Sequence, residues 1–467
     1  MKGIGSRAPT ANGSRWNIRQ YLGCINIVPL PASSELLRNY TASSVQAGNL
    51  RNRAVTGNPG QDSGRAPVPV PLLSGDPSCI RHVVYVIKEN RTYDQLFGDL
   101  RKGNGDPSQV MYGEDVTPNH HALAEQFALL DNYYCNGAIS ADGHSWATEG
   151  NCTDHLEKAF GGFVRSYTFG DDPLTYSSSG FIWDKVLEAG LSFRNFGEMD
   201  YASTVQPGIG FKTIYDDFVS GKHAIKFKHA VGIANLNAHT DPQYPGWNLS
   251  IPDIIRADCF HKAWTLFDQN NEFPAFTIIY LPNDHTSGMA PGAPTPRAQV
   301  ADNDVSLGRI VEGISHSRSW PDTCIFVNED DPQDGTDHVD GHRSICLVIS
   351  PWVRRQSVIH KAYNQTSVLH TMERMLGIAP MNRFDAHAPT MEACFTTTPN
   401  LSPYTAMPNR IKLDDVNPKV TILTGLQRRY AIASSKLDFS HPDAVEDDLF
   451  NRILLNDARR ANKSVTH

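Results

Sequence analysis

The chain has 467 residues, 40% of them hydrophobic and 20% charged, and a formal net charge of −8. That length allows a large buried core, and the acidic balance speaks against a nucleic-acid binder, whose domain would carry a basic face. No run of about 18 apolar residues occurs, so no transmembrane segment is expected, and the basic start at residues 1–7 has no apolar stretch behind it to make a secretory signal.

Residues 1–78 differ in character from the rest. The stretch 48–76 is rich in Gly, Pro, Asn, Ser and Arg and reads as a linker or arm, with one possible short strand before it at 24–30. From Ile80 the pattern changes. Residues 82–87 form a β-branched run, and similar runs recur at 276–281, 324–327 and 345–349, with a further possible strand at 129–134. Continuous apolar runs of this length suit strands covered on both faces, as in a parallel sheet. Helical spacing appears at 302–317, which opens on aspartates, and at 366–376. Strands alternating with helices predict an α/β fold with a mostly parallel central sheet. From about Asn400 a Pro- and Asn-bearing stretch leads to a charged helical tail over 443–460. The expected organisation is an arm (1–78), a catalytic domain (79–399) and a tail packed on it (400–467). The eight cysteines are scattered without a CxxC pair, which argues against a zinc finger, and Cys324 and Cys346 fall inside apolar runs as buried thiols.

In open α/β sheets, ligands bind beyond the carboxyl ends of the strands. Here the run at 82–87 leads into Glu89-Asn90-Arg91, and the run at 276–281 into Asn283-Asp284-His285. The run at 324–327 leads into Glu329-Asp330-Asp331, with Asp337-His338, Asp340 and His342 soon after. A single carboxylate after a strand is ordinarily a helix cap or a solvated turn residue. Three such ends together repel one another unless a cation sits among them, and a donor set of oxygens with one or two imidazoles suits a hard or borderline divalent ion. Arg91 is read as paired with Asp94 rather than with a substrate.

The segment Ile139-Ser140-Ala141-Asp142-Gly143-His144-Ser145-Trp146 follows the possible strand at 129–134. A serine in a Gly-containing turn after a strand can be presented as a nucleophile, although this is no G-x-S-x-G elbow and a turn serine is the plainer reading when it stands alone. A metal ion beside Ser140 would lower its hydroxyl pKa and suit it to attack phosphorus. His144 is placed to hydrogen-bond a phosphate oxygen. The C/S-x-P-x-R block that a sulfatase needs is not found.

On Val86-Ile87-Lys88-Glu89-Asn90-Arg91-Thr92-Tyr93-Asp94, Asp131-Asn132-Tyr133-Tyr134, Leu281-Pro282-Asn283-Asp284-His285, Asp330-Asp331 and Asp337-His338-Val339, the chain resembles the phosphoesterase family of bacterial phospholipases C and acid phosphatases, within the alkaline-phosphatase-like superfamily. The resemblance covers residues 80 to about 395 and looks closest to a β-propeller-associated subgroup, with residues 1–78 as a remnant of a missing propeller. It implies a three-layer αβα sandwich. It also implies one or two divalent ions held by Glu89, Asn90, Asp330 and Asp331 with Ser140 as a further ligand, and a phosphoserine intermediate on Ser140. Asp284, His285 and His338 would bind the phosphoryl group, a second ion or the leaving group. Phospholipase-type members carry Pro-Asn-Arg where this chain has Asp142-Gly143-His144, which leaves Ser145 as the alternative nucleophile. They carry Asp-Glu where this chain has Asp330-Asp331. The implied substrate is a small phosphate ester or a phospholipid, and the family suggests an exported location. A phospholipase C acting on head groups, or a non-catalytic binding protein that keeps the fold, are the competing readings. The first calls for an apolar surface beside the acidic cluster, and the second for a cluster that fails to converge or a blocked pocket.

Overall fold

Seven strands build the central sheet of the computed structural model, which describes residues 30–42, 64–158, 172–333 and 335–465. In chain order the strands are β1 (His82–Lys88), β2 (Ala128–Leu130), β3 (Tyr133–Tyr134), β4 (Phe193–Phe196), β5 (Asp200–Thr204), β6 (Phe227–Val231), β7 (Phe276–Leu281), β8 (Thr323–Glu329), β9 (Cys346–Ile349), β10 (Ser357–Ile359) and β11 (Tyr363–Asn364). The sheet order is β10-β2-β9-β8-β1-β7-β4, while β3 pairs with β11 and β5 with β6 in two small ribbons. Within the large sheet every pairing is parallel except those of β9, which runs antiparallel to β2 and β8.

Every residue of β7 and β8 is buried, as is every residue of β1 after His82. Because side chains alternate between faces along a strand, burial of all of them means that both faces of the sheet are covered. This is the middle layer of an α/β sandwich, and its Val, Ile, Phe and Tyr side chains form the main core together with Phe450, Leu454 and Ala458 of the tail. Among the described residues, no helix is long and apolar enough to cross a membrane. Cys324 and Cys346 are buried, as their apolar runs predicted.

Several elements differ from expectation for identifiable reasons. The possible strand at 129–134 is two strands, because Asp131 and Asn132 interrupt it: Asp131 pairs with His360 and Asn132 donates to His360 O. The helix expected at 302–317 runs Pro296–Ser315, started by Thr295, whose side chain accepts from Ala298 N, and by Pro296 in the first turn. Its aspartates are therefore interior. Asp302 accepts from Asp253 N and Ile254 N and so caps the Asp253–Asn270 helix, while Asp304 accepts from Asn119 N and His120 N. The tail helix runs Asp447–Val465, and Asp443 lies in a separate short turn, Pro442–Ala444. Apart from Leu30, the possible strand at 24–30 lies outside the described residues, as does most of the stretch 48–76.

Candidate active site

Strand register decides what meets. Lys88 at the end of β1 is level with Leu281 on β7 and with Glu329 on β8, so the segments that follow all leave the sheet at one edge. Glu89 and Asn90 follow β1, Asp284 and His285 follow β7, and Asp330 and Asp331 follow β8. Asn90 has φ +63°, Thr286 +69° and Gln333 +43°. Left-handed backbone is costly for non-glycine residues, above all for the β-branched Thr286, and all three lie in the turns leaving these strands. Arg91 is fully buried and clamps two of the turns together, donating to Asn90 O at 2.9 Å, to His285 O at 3.1 Å and to Asp284 O. Its guanidinium thus binds carbonyls, and the Asp94 partner expected for it is taken by Arg343 instead.

Ser140 is the first residue of the Ser140–Glu149 helix. Asp142 fixes the preceding turn by accepting from Ala138 N at 3.0 Å and Ile139 N at 2.9 Å. Gly143 lets the helix lie against the end of β8, since a Cβ there would stand 2.6 Å from Asp330 O. The outcome is that Ser140 Oγ sits 3.1 Å from Glu89 Oε2, 3.0 Å from Asp331 Oδ2 and 3.4 Å from Asn90 Nδ2. Ser145, the alternative nucleophile, donates its hydroxyl to Ala141 O within the helix.

His144 lies one turn along the same helix. Its Nε2 is 3.2 Å from Glu89 Oε1 and 3.6 Å from Asp330 Oδ2, and its Nδ1 is 2.8 Å from Glu198 Oε1. Tyr280 also donates to Glu89 Oε1. Glu89, Ser140, Asp330 and Asp331 are all 0% exposed. One ligand atom each from Glu89, His144 and Asp330 lie within 4.8 Å of one another. Beside them Asn90 Oδ1 and Asp330 Oδ2 are buried with no hydrogen-bond partner. Orphaned acceptors among crowded carboxylates are what a bound cation would satisfy, so these residues fit the expected divalent ion.

Electrostatics point the same way. Burial raises the Glu89 carboxyl to about 7, against the opposing pull of His144. Burial and the Glu89 charge push Asp330 well above the usual carboxylate range, and burial with Asp330 does the same to Asp331. Burial acts against a charged His144, but Glu198, Glu89 and Asp330 outweigh it and hold its pKa well up. An acid that binds its proton more tightly when folded makes stability fall as pH rises from its unfolded to its folded value. For Glu89 that window runs from 4.5 to about 7. Melting of metal-stripped protein is therefore expected at lower temperature at about pH 8 than at about pH 5, with a divalent ion reversing most of the loss at the higher pH. Thermal melts with and without added ions check this, and an ion-independent profile would count against a metal site.

The remaining sequence candidates are placed differently. Asp284 is buried against Lys88, 2.6 Å from its Nζ, and accepts from Glu89 N, so it braces the site rather than facing a substrate. His285 is packed against Trp247, Phe439 and Phe450, with Nδ1 3.0 Å from Thr286 O and Nε2 3.1 Å from Pro442 O; burial lowers its pKa to about 4. His338 belongs to another cluster, where Nδ1 is 2.6 Å from Asp94 Oδ2 and Arg343 lies between Asp94 and Asp337. One ligand atom each from Asp94, Asp337 and His338 lie within 4.8 Å of one another, and Arg343 pairs with both carboxylates of that group.

Sequence reading did not single out Lys88, Glu198, Tyr280 or Asp443. Lys88 carried a signal, a cation at the end of a run of buried apolar residues. Glu198 follows the short strand β4, whose carboxyl end obeys the same rule as the other three. Asp443 lies 303 residues from Ser140, and nothing local marks it.

A model described as "Phosphoesterase family" matches residues 104–379, a span that holds Ser140, Asp330 and Asp331 and begins after Glu89 and Asn90. No curated protein matches the chain. Among solved structures, a protein in the alkaline phosphatase superfamily from Vibrio parahaemolyticus is 13% identical, with a TM-score of 0.42, over 74% of this chain and 78% of that one. The lipoteichoic acid synthase LtaP from Listeria monocytogenes is 11% identical, with a TM-score of 0.42, over 90% and 98%. Human ectonucleotide pyrophosphatase/phosphodiesterase 5 is 12% identical, with a TM-score of 0.39, over 64% and 96%.

Proposed function

This chain belongs to the phosphoesterase family, and from that premise we propose that it hydrolyses small phosphate esters with Ser140 as nucleophile and a divalent ion at Glu89, Asn90, Asp330 and Asp331. One observation carries the reading: a serine hydroxyl at a helix N-terminus within 3.1 Å of Glu89 and 3.0 Å of Asp331, in a fully buried acidic cluster. When bound, the ion supplies positive charge that lowers the serine pKa and neutralises the phosphoryl oxygens.

The protein's own residues do the rest. One of Glu89 and Asp331, both in contact with Oγ, accepts the Ser140 proton as Oγ bonds to phosphorus and passes it to the departing ester oxygen, which leaves as the free alcohol. A water molecule then attacks the phosphorus of the phosphoserine; its oxygen stays on the phosphate, one of its protons goes to Ser140 Oγ as the Oγ–P bond breaks, and inorganic phosphate is released. Asn90 Nδ2, 3.4 Å from Oγ, orients the attacking hydroxyl. His144 turns Nε2 toward Glu89 and Asp330, with Glu198 holding Nδ1, an arrangement in which a carboxylate fixes the tautomer of an imidazole facing a cation. That supports His144 as a further ligand in place of the substrate contact expected from sequence. Asp284 serves as a brace.

The test is hydrolysis of p-nitrophenyl phosphate and of its bis-ester by metal-stripped protein, with divalent ions added back singly. Turnover restored by at least one ion is expected, and the preferred ester separates a phosphatase from a diesterase. Folded protein inactive on both esters with every ion would overturn the reading and favour a phospholipid substrate or a binding role.

A further inference from the structure

The site converges, yet it is closed. Ser140 is fully buried, and the element lying over it comes from the far end of the chain. Asp443, in the Pro442–Ala444 turn, places Oδ1 2.9 Å from Ser140 N and Oδ2 2.8 Å from Ala141 N. The two carboxylate oxygens therefore occupy the first two backbone N–H groups of the helix that presents the nucleophile. Asp443 itself keeps partial contact with solvent.

Those two N–H groups are the donors a substrate needs. A phosphoryl group whose phosphorus is in reach of Ser140 Oγ must direct non-bridging oxygens toward the helix N-terminus, where N–H groups and the helix dipole favour anions. A carboxylate is a planar anion with two oxygens and satisfies the same donors without bearing a reactive centre. Beside it, Asn90 Oδ1 is buried with no hydrogen-bond partner.

The turn is clasped in place on both sides. Pro442 O lies 3.1 Å from His285 Nε2, Phe439 O accepts from Trp247 Nε1 at 3.1 Å, Phe450 stacks on His285, and Asn451 donates to Gln333 O at 2.7 Å. His285 precedes the positive-φ Thr286, and Gln333 itself has a positive φ. His285, expected from sequence to act on the phosphoryl group, serves here as the anchor of this strap.

We propose that Asp443 is an internal occupant of the phosphoryl subsite formed by Ser140 N and Ala141 N, and that a phosphate dianion displaces it and the strap 438–451 to enter. The proposal rests on the phosphoesterase reading for the identity of the ligand.

Inorganic phosphate is the probe, titrated calorimetrically into metal-loaded wild type, Asp443→Asn and Asp443→Ala, with p-nitrophenyl phosphate turnover measured on each. Removing a charge that competes for the same two donors is expected to tighten phosphate binding by about tenfold or more and to raise kcat/KM in the same direction. Asp443→Asn keeps an acceptor for one N–H and so guards against loss of folding. In wild type, needing no substitution, saturating phosphate is expected to speed hydrogen exchange of the amides in 438–451. Unchanged or weaker phosphate binding in both folded variants overturns the proposal, as does phosphate binding to wild type with no change in exchange over 438–451. The two readings separate cleanly. Tighter phosphate binding without turnover in any protein removes the esterase reading and keeps the occupied subsite. Wild-type turnover with unaltered phosphate affinity in the variants removes the subsite and keeps the esterase.

Discussion

Replacing Ser140 by alanine is expected to lower kcat on p-nitrophenyl phosphate by about 10⁴-fold or more in metal-saturated protein, the scale seen when a nucleophile that works as part of a unit is removed. The reason is geometric. Ser140 Oγ is the hydroxyl that touches both Glu89 and Asp331, so its loss leaves the cluster with carboxylates but no group to bond phosphorus. Folding should survive, because the helix start is held by Asp142 and Gly143 rather than by the Ser140 side chain. Ser145→Ala is the control and should stay within a few-fold of wild type, its hydroxyl being engaged with Ala141 O. Acid quenching with radiolabelled substrate should trap a phosphoserine in wild type and none in Ser140→Ala. A Ser140→Ala protein that turns over at near the wild-type rate would transfer the nucleophile role to water.

Replacing Lys88 by methionine is expected to destabilise the fold by about 3–5 kcal/mol, the cost of leaving a buried charge without its partner. Lys88 is wholly buried at the end of β1, with Nζ 2.6 Å from Asp284 and 2.7 Å from Glu329, both also buried. Burial pulls its pKa down, and the two carboxylates outweigh that and hold it above the ordinary lysine value. Methionine preserves the stem and removes the charge. Glu329, already raised by burial to about 8, would then be held near Asp284 with no cation between them. Urea denaturation of wild type and Lys88→Met in metal-free buffer reads the difference. A change below about 1 kcal/mol would show that the two carboxylates simply take up protons, and a steep loss of Lys88→Met stability with rising pH would mark the crossover.

Much of this site was legible one strand at a time. The β-branched runs at 82–87, 276–281 and 324–327 became β1, β7 and β8, and the acidic residues after two of them line the cluster. Ser140 stood out because a Gly-containing turn followed a strand, and Gly143 proved to be the residue whose missing Cβ lets the helix approach β8. Where the histidines would stand was not legible. His338 and Asp337 stand with Asp94 in a second group, apart from Ser140, where Arg343, only a few residues on, pairs with both carboxylates. His285 follows Asp284 in sequence, but its ring turns into an aromatic box completed by the tail residues Phe439 and Phe450.

The division has a physical cause. Periodicity, β-branching and turn chemistry act over a few residues, so the sequence alone determined the long central strands β1, β7 and β8, their burial on both faces, and the acidic residues at their ends, but not the short strands such as β4 and β10. Which of those ends stand side by side depends on sheet order and register, settled by packing among segments hundreds of residues apart. Tertiary structure alone brought Glu198 to His144, drew Lys88 between Asp284 and Glu329, and laid Asp443 across the start of the Ser140 helix, because a side chain's partner is set by where the chain returns and not by what precedes it.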